Sequence, residues 1–190
     1  MTINLTGLIQ KNLGYPSLLK MDANTQEVVI DTDLPAEDRF SQAAIPAVLI
    51  GLYKFTRADE TAEMLLYNGK IGDWMTVIHN GNAEKVIKVV ADYSSQPIAR
   101  TWEKMNAIAG EAVRLVKEAI GTGGTAMDVK TLMADQRNYI LPYLPAGMQL
   151  GVILNDSTLD DRTNKMQGPV SGLMHFIGNQ LAGSDINKEA

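Results

Sequence analysis

The chain has no cysteine. That removes disulfides, thiolate nucleophiles and cysteine-ligated zinc together, and it fits a reducing compartment. A cluster of Lys and Arg is also missing. The 17 basic and 22 acidic residues are interspersed, for a net charge of −5. Nothing could neutralise a row of phosphates, so nucleic-acid binding is disfavoured. No run approaches the ~18 uninterrupted apolar residues of a membrane span. The opening "MTINLTGLIQKNLGYP" lacks the basic start and continuous apolar core of a secretory signal. The expectation is a soluble, cytoplasmic protein. Strand patterning is nearly absent: only Val28, Val29 and Ile30, inside the polar stretch 22–38, have β character. Three such residues without a partner strand predict a long loop, not a sheet.

What remains is helical. A chain of 190 residues buries roughly 70% of the surface its unfolded form exposes, so it needs no covalent staples. Leu5, Leu8, Ile9 and Leu13 share one face of a helix over 3–13, which Gly14, Tyr15 and Pro16 stop. Asp59, Asp73 and Asn82 are potential caps for three helices, the first two ended by Gly69 and Gly81 and the third carrying Val86, Val90 and Tyr93. The clearest helix runs from Pro97 to Ile120, with Ile98, Trp102, Met105, Ile108, Ala109, Ala112, Val116 and Ile120 in one stripe. After "GTGGT" (121–125) a helix starting near Asp128 carries Leu132, Met133 and Ile140. A further apolar segment follows over 146–154, and a last helix holds Val170, Leu173, Met174, Ile177 and Leu181. The expected fold is all-α, an orthogonal array of about eight helices in a single domain over 1–182, with a frayed polar tail at 183–190.

Three of the most apolar segments carry a proline near their head: Pro46, Pro145 and Pro169. Inside a helix a proline costs ~3 kcal/mol or more, whereas in a first turn it costs almost nothing. The economical reading makes each a helix start or a kink that lets a buried helix turn into the core. Gly51, Gly147, Gly151 and Gly172 in the same segments allow close helix approach. Aligning Ile45-Pro46-Ala47 with Leu144-Pro145-Ala146 pairs Phe40 with Tyr139 and Leu49 with Met148. The match hints at an internal duplication with a period of roughly one hundred residues.

A proline-led apolar helix ("AAIPAVLIGLYKFT"), a short helix with a polar Gly turn and a helix pair (72–120), and a second proline-led segment ("ILPYLPAGMQLGVIL") appear in that order. In this rhythm the stretch 40–155 resembles the YidB-like family of bacterial proteins. The family is richer in glycine where this chain has Tyr, Met and charges. The resemblance implies an all-α array, and it implies no activity.

Chemical motifs are few. "GTGGT" precedes a helix but lacks the Gly-Lys-Ser/Thr ending and the preceding strand of a phosphate loop, and it reads as a helix cap. The two histidines, His79 and His175, have no carboxylate at i+4 and read as satisfied structural residues, His79 as a cation at a helix end. The densest polar cluster is 155–165, with Asp156, Asp160, Asp161 and Arg162. It lacks the central Gly and closing Glu of a calcium loop. Ser157 with Asp160 fits a capping box, and Asp161 with Lys165 an i,i+4 pair. No cofactor or metal signature is present.

The leading functional expectation is a non-enzymatic module that binds a protein or an apolar ligand in a groove beside proline-interrupted helices. Tyr139, Tyr143 and Met148 are the candidate wall, with Asp160, Arg162 and His175 as polar candidates. The ten methionines suit either a core or an adaptable surface. The alternative is a metal-dependent or hydrolytic enzyme centred on 155–165.

Overall fold

A computed structural model describes residues 3–21, 34–67 and 71–156, and over them the chain is all-α. The helices are α1 (Leu5–Leu13), α2 (Ala36–Phe55), α3 (Asp59–Tyr67), α4 (Trp74–His79), α5 (Ala83–Ser94), α6 (Ile98–Ile120), α7 (Ala126–Ile140) and α8 (Leu150–Ile153). Two 3-10 turns, Leu141–Tyr143 and Ala146–Met148, separate α7 from α8. No strand occurs among the described residues, and all of them belong to one unit spanning 1–160. Val28–Ile30, Gly69, the helix expected near Pro169 with Gly172, the domain's continuation to 182 and the polar tail lie outside them.

Local chemistry sets most helix ends. The Asn4 side chain accepts from the Gly7 amide at 3.1 Å, and Gly14 (φ 72°) closes α1 in the left-handed region. Asp73 accepts from the Thr76 amide at 3.0 Å and caps α4 as expected. Pro35 and Pro97 occupy the cap positions of α2 and α6, where φ values of −53° and −60° suit them. "GTGGT" ends in a capping box: Asp128 accepts from the Thr125 amide at 2.9 Å, and Thr125 accepts from the Asp128 amide. Asn82 stands at the cap of α5 without a side-chain cap bond. Asp59 is already inside α3, and its carboxylate holds Lys130 of α7 at 2.8 Å instead of capping.

The core is organised around α2, which packs against α1, α4, α5, α6, α7 and the first 3-10 turn. Every residue from Arg39 to Leu52 is buried, so over this stretch the helix has no solvent face. Pro46 lies within it, ten positions after its first residue, Ala36. It is therefore no helix start. The helix continues through the proline because neighbours on all sides hold it, and packing of this extent outweighs the loss of one helical hydrogen bond. Gly51 works as expected: a Cβ there would meet the His79 ring at 2.3 Å, so the glycine permits α4 to close on α2.

The segment around Pro145 folds differently. Gln149 takes a left-handed conformation (φ 46°) and splits 146–154 into a 3-10 turn and a single-turn helix. Met148, Leu150 and Leu154 are buried while Val152 is 67% exposed, so this is a peripheral corner and not a helix through the core. Gly147 is exposed, and Gly151 is buried. The aligned segments around Pro46 and Pro145 thus share composition and not structure, which removes the support for a duplication.

The amino terminus is tied down by a polar residue. Gln136 of α7, with no exposed surface, accepts from the Leu5 amide at 2.9 Å and donates to the Ile3 carbonyl at 2.8 Å. One side-chain amide thereby satisfies the Leu5 N–H that the helix start leaves open and the Ile3 carbonyl just before it.

Candidate functional site: an apolar groove between α5 and α6

Helix α5 ends at Ser94, and Ser95 enters the left-handed region (φ 54°) to turn the chain. Pro97 then starts α6, and the Thr101 hydroxyl donates back to the Pro97 carbonyl at 3.0 Å to tighten the first turn. This return places Ile98, Ala99 and Trp102 alongside Glu84, Ile87 and Lys88 of α5, and the six residues line a groove of about 670 Å3. Such a volume lies in the range of small-ligand and peptide-anchor pockets. Ile87 is buried at its floor, whereas Ile98 and Trp102 remain 57% and 39% exposed. Lys88 on the rim is bound to Asp92 at 3.0 Å.

The sequence pattern assigned Ile98 and Trp102 to the core stripe. The structure keeps the stripe for Met105, Ile108, Ala109, Ala112 and Val116, all without exposed surface, and leaves its first two members open. Periodicity marks the apolar face of a helix but carries no signal for how closely a neighbour covers each turn of it, and α5 runs beside Ile98 and Trp102 without sealing them.

A second, smaller cavity of about 210 Å3 is lined by Tyr53, Thr56, Arg57, Lys130, Met133 and Ala134. Its two cations are engaged. Arg57 lies 4.7 Å over the Tyr53 ring and 2.6 Å from Asp156, while Lys130 holds Asp59. Burial acts to lower the Arg57 pKa, but Tyr53 and Asp156 together raise it. The pocket thus presents a neutralised, hydrogen-bonded wall.

Neither cavity is lined by the residues expected from sequence. Tyr139, at the end of α7, is 40% exposed, and its carbonyl accepts from the Thr6 hydroxyl. Tyr143 is half-buried, and its carbonyl accepts from Gln42 at 2.7 Å. Met148 is 2% exposed and packs in the core, filling space beneath the corner instead of walling a cleft. Asp160, Arg162 and His175 lie outside the described residues, as do Ser157, Asp161 and Lys165. Of the polar cluster Asp156 is described, and it is the partner of Arg57. Among the described residues no three His, Cys, Asp or Glu side chains gather as a metal site. No described helix is long and apolar enough to cross a membrane.

His79 departs from its expected role. It is 3% exposed, and neither ring nitrogen has a hydrogen-bond partner. Burial first, and the Lys54 charge second, push its pKa down to about 4. It is a neutral ring pressed against Gly51, not a cation at a helix end and not a satisfied histidine. Tertiary burial has overridden the helix-end attraction for positive charge.

In comparison with known proteins, no family model, no curated protein and no solved structure matches the chain.

Proposed function

We propose that this protein is a non-enzymatic helical module whose α5–α6 groove receives an apolar segment of a partner protein. The observation that carries the reading is the pair Ile98 and Trp102, exposed over a groove whose floor is Ile87. Tryptophan is enriched among residues that dominate binding energy, because a large rigid ring buries much area at small entropic cost. Glu84 and Lys88 on the rim suit a partner with a charge of each sign beside its apolar anchor. A small apolar ligand would use the same floor and walls. The reading places the module in a reducing, cytoplasmic setting, on the lack of cysteine. It includes membership of the YidB-like bacterial group, supported by helix rhythm over 40–155.

The test is an affinity capture from native lysate with wild-type and Trp102→Ala proteins, followed by titration of the captured partner. Loss of a binding-energy anchor weakens binding by about 30-fold or more, with the helical circular dichroism unchanged. A partner that binds both proteins equally would refute the assignment to this groove.

A further inference from the structure

Between Gly14 and the end of the first described stretch at Met21 the chain is not helical. This strap is held mainly by its main chain. The Leu19 amide donates to Gln42 Oε1 at 2.8 Å, and Gln42 Nε2 donates to the Leu19 carbonyl at 3.0 Å. The same Nε2 donates to the Tyr143 carbonyl at 2.7 Å, and the Met21 amide donates to the Pro142 carbonyl at 2.8 Å. Gln42 is itself 4% exposed, yet the Leu19 side chain is 53% exposed. Ser17 and Lys20 are exposed as well. The apolar anchoring is thin: the Tyr15 ring meets Phe40 tilted by 45° at 5.9 Å between centroids, and Leu18 packs partly on the core.

Two properties follow. A glutamine amide that pairs with both the N–H and the C=O of one residue reads polypeptide main chain and not side-chain identity. A segment with few buried apolar contacts, held by a handful of part-buried hydrogen bonds, opens locally below the free energy of global unfolding. When the strap lifts, Gln42 is left with an open acceptor and an open donor beside the Tyr143 carbonyl it still holds, a state that favours another main chain over an apolar ligand.

We propose that Gln42, Pro142 and Tyr143 form a second binding seat, which takes a non-helical segment of another polypeptide through its main chain and which residues 15–21 occupy in cis. The seat is distinct from the α5–α6 groove and does not depend on it. Its partner needs a free N–H at the residue opposite Gln42, and proline there is excluded.

The probe is the synthetic peptide GYPSLLKM, residues 14–21, added to the full chain while the Gln42 side-chain amide is followed by NMR. Leu19→Pro removes the N–H that Gln42 accepts and touches no core residue. The peptide should bind the Leu19→Pro protein about tenfold more tightly than the wild type, whose seat is filled. Replacing Leu19 of the peptide by alanine should leave its affinity within about twofold, whereas N-methylation of that residue should weaken it about tenfold. Equal or absent binding to the two proteins, or an alanine effect as large as that of N-methylation, would overturn the proposal. In the wild type, the Leu19 and Met21 amides should exchange with solvent roughly 100-fold faster than those in the middle of α6. Exchange at the α6 rate would show that the strap never lifts separately, and would overturn the proposal without any variant.

Discussion

One apolar stripe on α6 meets two different fates. From Met105 to Val116 it is sealed, and its central residues expose nothing. One and two turns upstream, Trp102 and Ile98 stand open over the α5 groove. The cause is visible in what docks where. Asn106 accepts from the Trp74 amide at 2.8 Å and donates to the Gly72 carbonyl at 2.6 Å, which pins the start of α4 to the middle of α6. Asn12, following the exposed edge of α1, reaches Glu111 at 2.7 Å. Neighbours thus attach at 106–111, and the first turn of α6 has α5 beside it. Periodicity identifies the apolar face of a helix, but the lengths and docking points of its neighbours decide how much of that face is covered.

The same charge placed in the sealed half and in the open half of the stripe should have very different effects. Ala112→Asp puts an unpaired carboxylate where there is no exposed surface and should cost about 4 kcal/mol or prevent folding. Urea denaturation measures it. A wild-type midpoint for this variant would mean that the sealed half does not face a core.

A weaker point of the sealed region lies at the other end of α4. His79 titrates at about 4 in the folded protein against 6.5 unfolded. Because the folded value is depressed, the unfolded chain takes up the proton first. Stability is therefore complete above pH 6.5 and falls as the pH drops towards 4. The total loss is ~3 kcal/mol, at about 1.4 kcal/mol per unit. Glu37, Glu111 and Asp128 also have lowered values, held down first by Lys104, Arg114 and Thr125 respectively. Their contributions disappear only below their ordinary carboxylate range, so the histidine window is separable from theirs. Stability curves between pH 7 and 4.5 should be steep for wild type and nearly flat for His79→Leu. Parallel curves would remove His79 as the acid-sensitive group.

The smallest effect is expected at the open end. Ile98→Asp should change stability by no more than about 0.5 kcal/mol, since the side chain is mostly in water, while weakening any partner held by the groove. A loss comparable to that of Ala112→Asp would show that the groove is part of the core and not a surface for binding.

Much of the helix pattern was legible because its determinants are short. Gly14, Asp73 and Pro97 act within a turn of their own backbone, and α1 ends, and α4 and α6 begin, close to where those signals place them. The capping box expected at Ser157 and Asp160 lies outside the described residues, and the box that forms among them joins Thr125 and Asp128, where the sequence reads only as a helix cap. Of the two readings of Pro46, a helix start is excluded, because the proline lies inside α2 among the neighbours that surround that helix. Trp102 and Met148 exchanged places for a related reason. Tryptophan in a periodic stripe reads as core and methionine beside two prolines reads as surface, but burial depends on which elements reach each position.

The backbone clasps were the least legible feature. Nothing local distinguishes Gln42 or Gln136 from a solvated glutamine. Their partners, Leu19 and Tyr143 for one and Ile3 and Leu5 for the other, lie 23, 101, 133 and 131 positions away. Composition and periodicity were enough for an all-helical chain, for most of its helix boundaries and for the apolar face of α6, because those follow from interactions within a few residues. The passage of α2 through its own proline, the neutral and unpartnered state of His79, the open end of the α6 stripe and the two glutamine clasps required the packed chain. Each of these depends on desolvation and on contacts between distant segments, and neither exists until the helices have docked.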